Sequence, residues 1–179
     1  DGLNNLRDTD GNLAIHTAAC KLQIPHLESL GTMKGVDLSL TNFQGRTWAH
    51  LLLMRLRSYH MSPKEFQASH SDCVHTVHRV MFSLVAIFPD VCFIKDMDGF
   101  TPIDFAIYLG DTTTLNVLID GHSSCLNYSY YLSQSILEKR PQLVHYFTTK
   151  VERYCQNWSK EKRSCFIVKA IASFSSSSL

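Results

Sequence analysis

Nine residues, His70-Ser71-Asp72-Cys73-Val74-His75-Thr76-Val77-His78, hold three imidazoles, a thiol and a carboxylate. Zinc takes four such donors in a tetrahedron. On a helix starting near Cys73, His75 and His78 share one face and Cys73 lies at its beginning. No C-x-x-C or H-x-x-x-H elsewhere supplies partner ligands, so the competing reading is helix-surface residues beside an insertion. Cys73 is also the one candidate thiol nucleophile, since the type needs a helix terminus or a nearby cation to become a thiolate. His16 and His50 are the candidates for acid–base work. No Gly-rich phosphate loop, nucleophile elbow or paired-carboxylate arrangement accompanies them. Catalysis is not expected, and no metal or cofactor is assigned. A zinc-binding or thiol-dependent activity centred on His70, Cys73, His75 and His78 stands as the alternative.

The elements that position these side chains are built on one pattern, fullest at Asp96-Met97-Asp98-Gly99-Phe100-Thr101-Pro102-Ile103-Asp104-Phe105-Ala106-Ile107-Tyr108-Leu109-Gly110. Asp98-Gly99 offers the positive φ that a tight turn demands. Thr101 can cap a helix and Pro102 suits its first position, where a missing N–H costs nothing. Ile103, Phe105, Ala106 and Ile107 make a short apolar helix that Gly110 can end. Such a unit cannot bury its own apolar face and needs neighbours of its kind.

Two neighbours are present: Asp8-Thr9-Asp10-Gly11-Asn12-Leu13-Ala14-Ile15-His16 and Asn42-Phe43-Gln44-Gly45-Arg46-Thr47-Trp48-Ala49-His50. Gly11 and Gly45 are 34 residues apart, and repeat units of about 33 residues are the ankyrin period. Gly45 and Gly99 are 54 apart, one period plus an insertion of about 21. These residues resemble the ankyrin signature Asp-x-x-Gly-x-Thr-Pro-Leu-His-x-Ala. The third copy has Asp104 in place of His, and the first two have Ala14 and Trp48 in place of Pro.

The resemblance implies an all-α solenoid of helix-turn-helix units joined by hairpin loops. It also implies that His16 and His50 tie their helices to neighbouring backbone, and that Asp104 accepts equivalent bonds if donors lie nearby. Ankyrin proteins are non-catalytic and bind other proteins through the hairpin tips and the concave face of the first helices. Carried over residue by residue, the contact positions are Thr9, Asp10, Asn12, Cys20 and Lys21, then Phe43, Gln44, Arg46, Met54 and Arg55. In the third repeat they are Met97, Asp98, Phe100, Tyr108 and Leu109. Phe43, Met97 and Phe100 would be large apolar side chains at exposed tips, favoured at interface centres; the alternative is that they pack sideways on the adjacent hairpin. Ser62-Pro63 inside the insertion is similar to a feature of nuclear inhibitor-of-κB-like members, whose partners are Rel-type transcription factors.

Taken in order, the chain reads as one domain over 1–179: repeats at 8–40, 41–94 (insertion 57–72) and 95–124, a degenerate repeat and cap at 125–174, and a polar tail at 175–179. Expected helices are 14–21, 25–30, 48–56, 74–88, a third return helix through Leu115–Ile119, 128–138, 141–148, 151–158 and 161–174. Ser62-Pro63-Lys64-Glu65 is a capping box and predicts an extra helix over 63–68. Of 179 residues, 45% are hydrophobic, enough for a sizeable core. Acidic and basic residues number 13 and 9 up to Asp120 but 3 and 8 from His122 onward, about −4 against +5. This is too mild for nucleic acid, which calls for a concentrated basic stripe. The basic run Lys160-Glu161-Lys162-Arg163 reads as a solvated helix face or a contact for acidic partners. Runs such as Val80–Phe88 are too short to span a bilayer. Six cysteines without a framework read as reduced thiols. The expectation is therefore an intracellular domain, cytoplasmic or nuclear, from a longer chain that begins before Asp1 and carries no secretory signal.

Overall fold

A computed structural model describes residues 6–61, 70–119, 130–132, 135, 139 and 141–154. Those residues are all-helical, with no β-strand among them. They sort into two compact units: residues up to Leu109 together with Thr113–Leu118, and Gly110–Thr112 together with the chain from Ile119.

The first unit is built from pairs of helices. α1 (Ala14–Cys20) pairs with α2 (Ile24–Thr32), and α3 (Trp48–Met61) is followed by α4 (His70–Ile87). A 3-10 turn (Pro89–Phe93) leads to α5 (Pro102–Leu109) and α6 (Thr112–Ile119). α3 packs against both α1 and α5, so the first helices form one row; α2 packs against α4 in a second row. The core lies between the rows. Leu27 comes from α2, Leu52, Leu53 and Leu56 from α3, Val77, Val80, Met81 and Leu84 from α4, and Ile103 from α5, all fully buried. Every one of these helices is too short or too apolar on one face to persist alone, so tertiary burial holds them.

Several expected boundaries move. α3 runs on to Met61 rather than stopping at Leu56, and α4 starts at His70 rather than Val74. The flanks of the expected 57–72 insertion thus belong to regular helices. Its centre, with the helix expected over 63–68 and Ser62-Pro63, lies outside the described residues. α2 exceeds its expected 25–30 by a residue before and two after. Val77, Val80, Met81, Leu84 and Val85 of α4 are buried, while Val74, Phe88 and Leu30 are half-buried. Gly110 ends α5 with φ +78°, as its position implies.

Where α2 crosses α4, Gly31 is buried and a Cβ built there would collide with the Leu84 side chain. Glycine lets the two helices approach closely. Gly31→Ala should therefore cost about 1–3 kcal/mol by overpacking, although alanine is the better helix former. Urea unfolding checks this, and a stabilised variant would refute the close packing.

In the second unit, α7 spans Pro141–Tyr154. The separate helices expected over 141–148 and from 151 join, at least through Tyr154, because no breaker separates Thr148 from Val151. Leu143 and Phe147 are buried, and Phe147 stacks on Tyr131 with centroids 5.9 Å apart. The cap from 155 and the tail lie outside the described residues.

Candidate binding surface

Three loops repeat one set of bonds. In the first, Asp8 N donates to Asn12 O and Gly11 N to Asp8 O, both at 3.0 Å. The second repeats this with Asn42, Arg46 and Gly45, and the third with Asp96, Phe100 and Gly99. In each loop the leading side chain holds the turn from within. Asp8 Oδ1 accepts from Asp10 N and Asn12 N at 2.9 and 2.8 Å. Asn42 Oδ1 accepts from Gln44 N and Arg46 N, and Asp96 Oδ1 from Asp98 N and Phe100 N. Asp and Asn suit this place because their short side chains reach backbone two and four residues on. The fourth residue is glycine with positive φ each time: 78°, 73° and 85°. At Gly45 a second constraint operates, since a Cβ would sit 3.0 Å from Met97 N in the next loop.

The loops are joined edge to edge. Phe43 N donates to Asp10 O at 3.1 Å, and Met97 N donates to Gln44 O at 3.0 Å. Asn42 Nδ2 donates to Asn12 Oδ1 at 3.0 Å. Arg46 Nε meets Asp96 Oδ2 and its Nη2 meets Asp98 Oδ2, both at 3.4 Å. The Asp96 side chain is fully buried there, so Arg46 supplies the countercharge that a buried carboxylate needs. Arg7 Nη1 donates to Gly11 O and to Thr41 O, at 2.6 and 2.7 Å.

Each first helix begins with a reach-back from its third residue. His16 Nδ1 accepts from Leu13 N at 3.1 Å, and His50 Nδ1 accepts from Thr47 N at 3.1 Å. Asp104 Oδ2 accepts from Thr101 N and Oγ1 at 2.8 and 2.7 Å, and Thr101 Oγ1 accepts from Asp104 N at 3.3 Å. This is a capping box, with Asp in the place of the usual Glu or Gln. With Nδ1 facing an N–H donor, the imidazole proton sits on Nε2. It is donated to Leu40 O by His16 at 3.1 Å and to Phe100 O by His50 at 3.0 Å. Both rings are fully buried, and burial holds both below the ordinary histidine pKa. They are neutral, bonded at both nitrogens and closed to solvent, so they have no free position for acid–base work.

The expected contact residues divide by what holds them. Thr9, Asp10, Lys21, Phe43, Gln44, Arg55, Met97, Asp98 and Phe100 are exposed, and so is Cys20. Asn12 and Arg46 are engaged in the loop ladder, the Arg46 side chain being only 19% exposed. Met54, Tyr108 and Leu109 are half-buried. Phe43 is 60% exposed although its ring lies over Gly11, and Met97 is 77% exposed. Phe100 is 38% exposed and sits edge-on to Phe105 and Tyr108, each at 6.2 Å. Arg57 lies 5.6 Å above the Tyr108 ring, a pairing that needs tertiary contact to be seen. Phe43 thus leans on the adjacent loop while staying largely open to solvent, whereas Phe100 packs on its own helix α5 and not on an adjacent hairpin.

Of the metal-like cluster, the side chains of His70 and Cys73 lie outside the described residues. His75 is exposed, and His78 Nε2 is 2.9 Å from Thr114 Oγ1. No group of three His, Cys, Asp or Glu that would hold a metal occurs among the described residues. Burial pushes the Cys92 thiol up to about 12, aided by Asp90, so it is inert as a nucleophile. Among the described residues no helix is long and apolar enough to cross a membrane. No protein-family model matches this chain, and no curated protein matches it in sequence.

Proposed function

We propose that this chain is an ankyrin-type solenoid that works as a non-catalytic protein-binding module. The observation that carries the reading is the ladder of three hydrogen-bonded loops with Phe43 and Met97 open to solvent at its tips. The ladder is fixed from inside by Asp8, Asn42, Asp96 and Arg46, so the backbone that presents its outer side chains is set before any partner arrives. Rigid presentation lowers the ordering cost of association. Large apolar side chains kept at such positions gain most when a partner covers them.

The setting that fits this reading is intracellular signalling or transcriptional regulation, with an inhibitor-of-κB-like role and a Rel-type transcription factor as the first partner to test. Support for that narrower part is the position of Ser62-Pro63 between α3 and α4.

The test compares wild type with a Phe43→Ser, Met97→Ser double variant in affinity capture followed by mass spectrometry. These two are chosen because Phe100 packs on Phe105 and Tyr108 and its loss would disturb the fold. The double variant should melt with wild type, since exposed substitutions shift stability by roughly 0.5 kcal/mol or less, and should lose at least one partner. Unchanged capture by an equally stable variant would remove the tips from the binding surface.

A further inference from the structure

The second row of helices has an outer face that is apolar where a surface helix is ordinarily polar. On α4, Arg79, Phe82 and Ala86 are exposed at spacings of three and four residues. They form one stripe on the side turned away from the buried Val77, Met81 and Leu84. Phe82 is 57% exposed, and Ile87, the last residue of α4, is 55% exposed. Met33, at the end of the neighbouring α2, is 48% exposed. Large apolar side chains exposed together mark an interaction site. None of these residues belongs to the loop tips or the first helices, so this face is separate from the surface proposed above.

The face is complementary to itself. Glu28 on α2 holds Arg79 on α4 at 2.7 Å, and Gly31 lies against Leu84, so the two helices run in one direction with Gly31 and Leu84 at the same level. Leu84 is also midway between Phe82 and Ala86. A two-fold axis that crosses both helices at that level, in the plane of their outer face, sets each helix antiparallel to its equivalent. Phe82 then meets Ala86 of the second copy, and Ala86 meets its Phe82, large against small. Arg79, five residues before the axis, opposes Asp90, six residues after it. Glu28, three residues before Gly31, opposes Lys34, three residues after it. Lys34 and Asp90 are exposed, and neither has an ion-pair partner among the described residues. The charges therefore alternate from Lys34 of the second copy through Glu28 and Arg79 to Asp90 of the second copy, and symmetry gives that row twice.

We propose that the outer faces of α2 and α4 bind a second copy of this chain, forming an antiparallel two-fold dimer. A two-fold contact requires that residue i meet residue j while j meets i, and here one axis satisfies this for the apolar pair and for both charge pairs. A parallel arrangement would set Phe82 on Phe82 and Arg79 on Arg79, and so is disfavoured. Ala86 leaves room for Phe82 of the second copy at the usual helix separation of about 8–10 Å. Burial of Phe82 and Ile87 supplies the affinity. The ion pairs fix register and direction, because exposed pairs add little strength. Such a dimer engages no loop-tip or first-helix residue and carries two copies of that surface, so a multivalent partner gains avidity.

The test is sedimentation equilibrium of the full 179-residue chain beside Phe82→Ala and Ala86→Phe variants, all matched in melting temperature and circular dichroism. Wild type should show a reversible monomer–dimer equilibrium. Each variant alone should raise the dimer Kd at least ~10-fold, since one sets small on small and the other large on large. Mixed together, the two variants should form a heterodimer close to wild-type affinity, because every contact is again large against small. Should Ala86→Phe not match in stability, Lys34→Glu and Asp90→Lys, beyond the ends of α2 and α4, carry the test. Each opposes like charges and should weaken the dimer, most of all at low salt. A chain that stays monomeric up to ~1 mM overturns the proposal and leaves the stripe to a different protein. A dimer indifferent to these substitutions, or variants that do not rescue one another, overturns this interface.

Discussion

Trp48→Ala should cost about 3–5 kcal/mol, the range for removing a large buried aromatic, out of the roughly 5–15 kcal/mol that holds a domain of this size together. Trp48 is the first residue of α3, the helix packed between α1 and α5, and its side chain is fully buried. Truncation there opens a cavity in the middle of the first-helix row, where neither flanking helix can collapse inward without breaking its own loop. Trp48→Phe separates volume from hydrogen bonding. The indole Nε1 is buried with no hydrogen-bond partner among the described residues, and such an orphaned donor carries a penalty of about 1–3 kcal/mol. Phenylalanine gives up some packing but sheds that penalty, so its net cost should stay below about 1.5 kcal/mol. Urea unfolding of the three proteins at neutral pH decides the matter. A Phe variant as damaged as the Ala variant would show that the N–H has a stabilising partner after all.

What is legible in the sequence is what is local. The loop signal needs only Asp or Asn at one place and Gly three residues on, and the helix starts need only an acceptor three residues past the cap. Both fall inside a ten-residue window. Even the departure at Asp104 is readable, because a carboxylate can accept what an imidazole accepts, and Thr101 supplies two donors. The lengths of α3 and α4 are not readable. Arg57-Ser58 and His70-Ser71-Asp72 are polar, so the apolar periodicity in the sequence ends before the helices do. A helix can continue on backbone bonds after its buried face has run out.

Long-range pairings are equally hidden. Arg46 has the place of a free contact residue at its loop, yet it is the countercharge of an aspartate 50 positions away. Arg7 reaches across 34 positions to Thr41 O. Nothing in the sequence around either arginine shows that its guanidinium is already bonded. The candidate surface is therefore legible as a set of positions. Its division into side chains already bonded within the loop ladder and side chains open to solvent comes from tertiary contacts alone.

Acidification should weaken the fold steeply below about pH 6.5, the ordinary histidine value, through His16 and His50. Their Nδ1 atoms accept backbone N–H bonds, and a proton placed there would turn acceptor into donor and oppose two N–H groups. Burial, the largest influence, holds both rings below their usual pKa. Around His16 the carbonyl of Leu40 and Asp8 pull upward while Arg7 pushes down; around His50, Phe100 O, Asp96 and Asp104 pull upward while Arg46 pushes down. The folded state therefore binds these protons less readily than the unfolded chain. The stabilisation is complete above the unfolded value and is lost as pH falls toward the folded values, at about 1.4 kcal/mol per pH unit for each histidine. With both acting, the loss approaches roughly 2.7 kcal/mol per unit. The Asp8 and Glu28 carboxyls, held below their ordinary values by bonds from Asn12 and from Arg79, take up protons only beneath this window and do not blur it. Urea midpoints measured from about pH 7.5 down to about pH 5.5 should stay level above about pH 6.5 and fall below it in wild type. In a His16→Gln, His50→Gln variant, less stable at neutral pH, they should stay nearly level. An equal slope in both proteins would mean that other groups drive the acid transition and that the two imidazoles can be protonated in place.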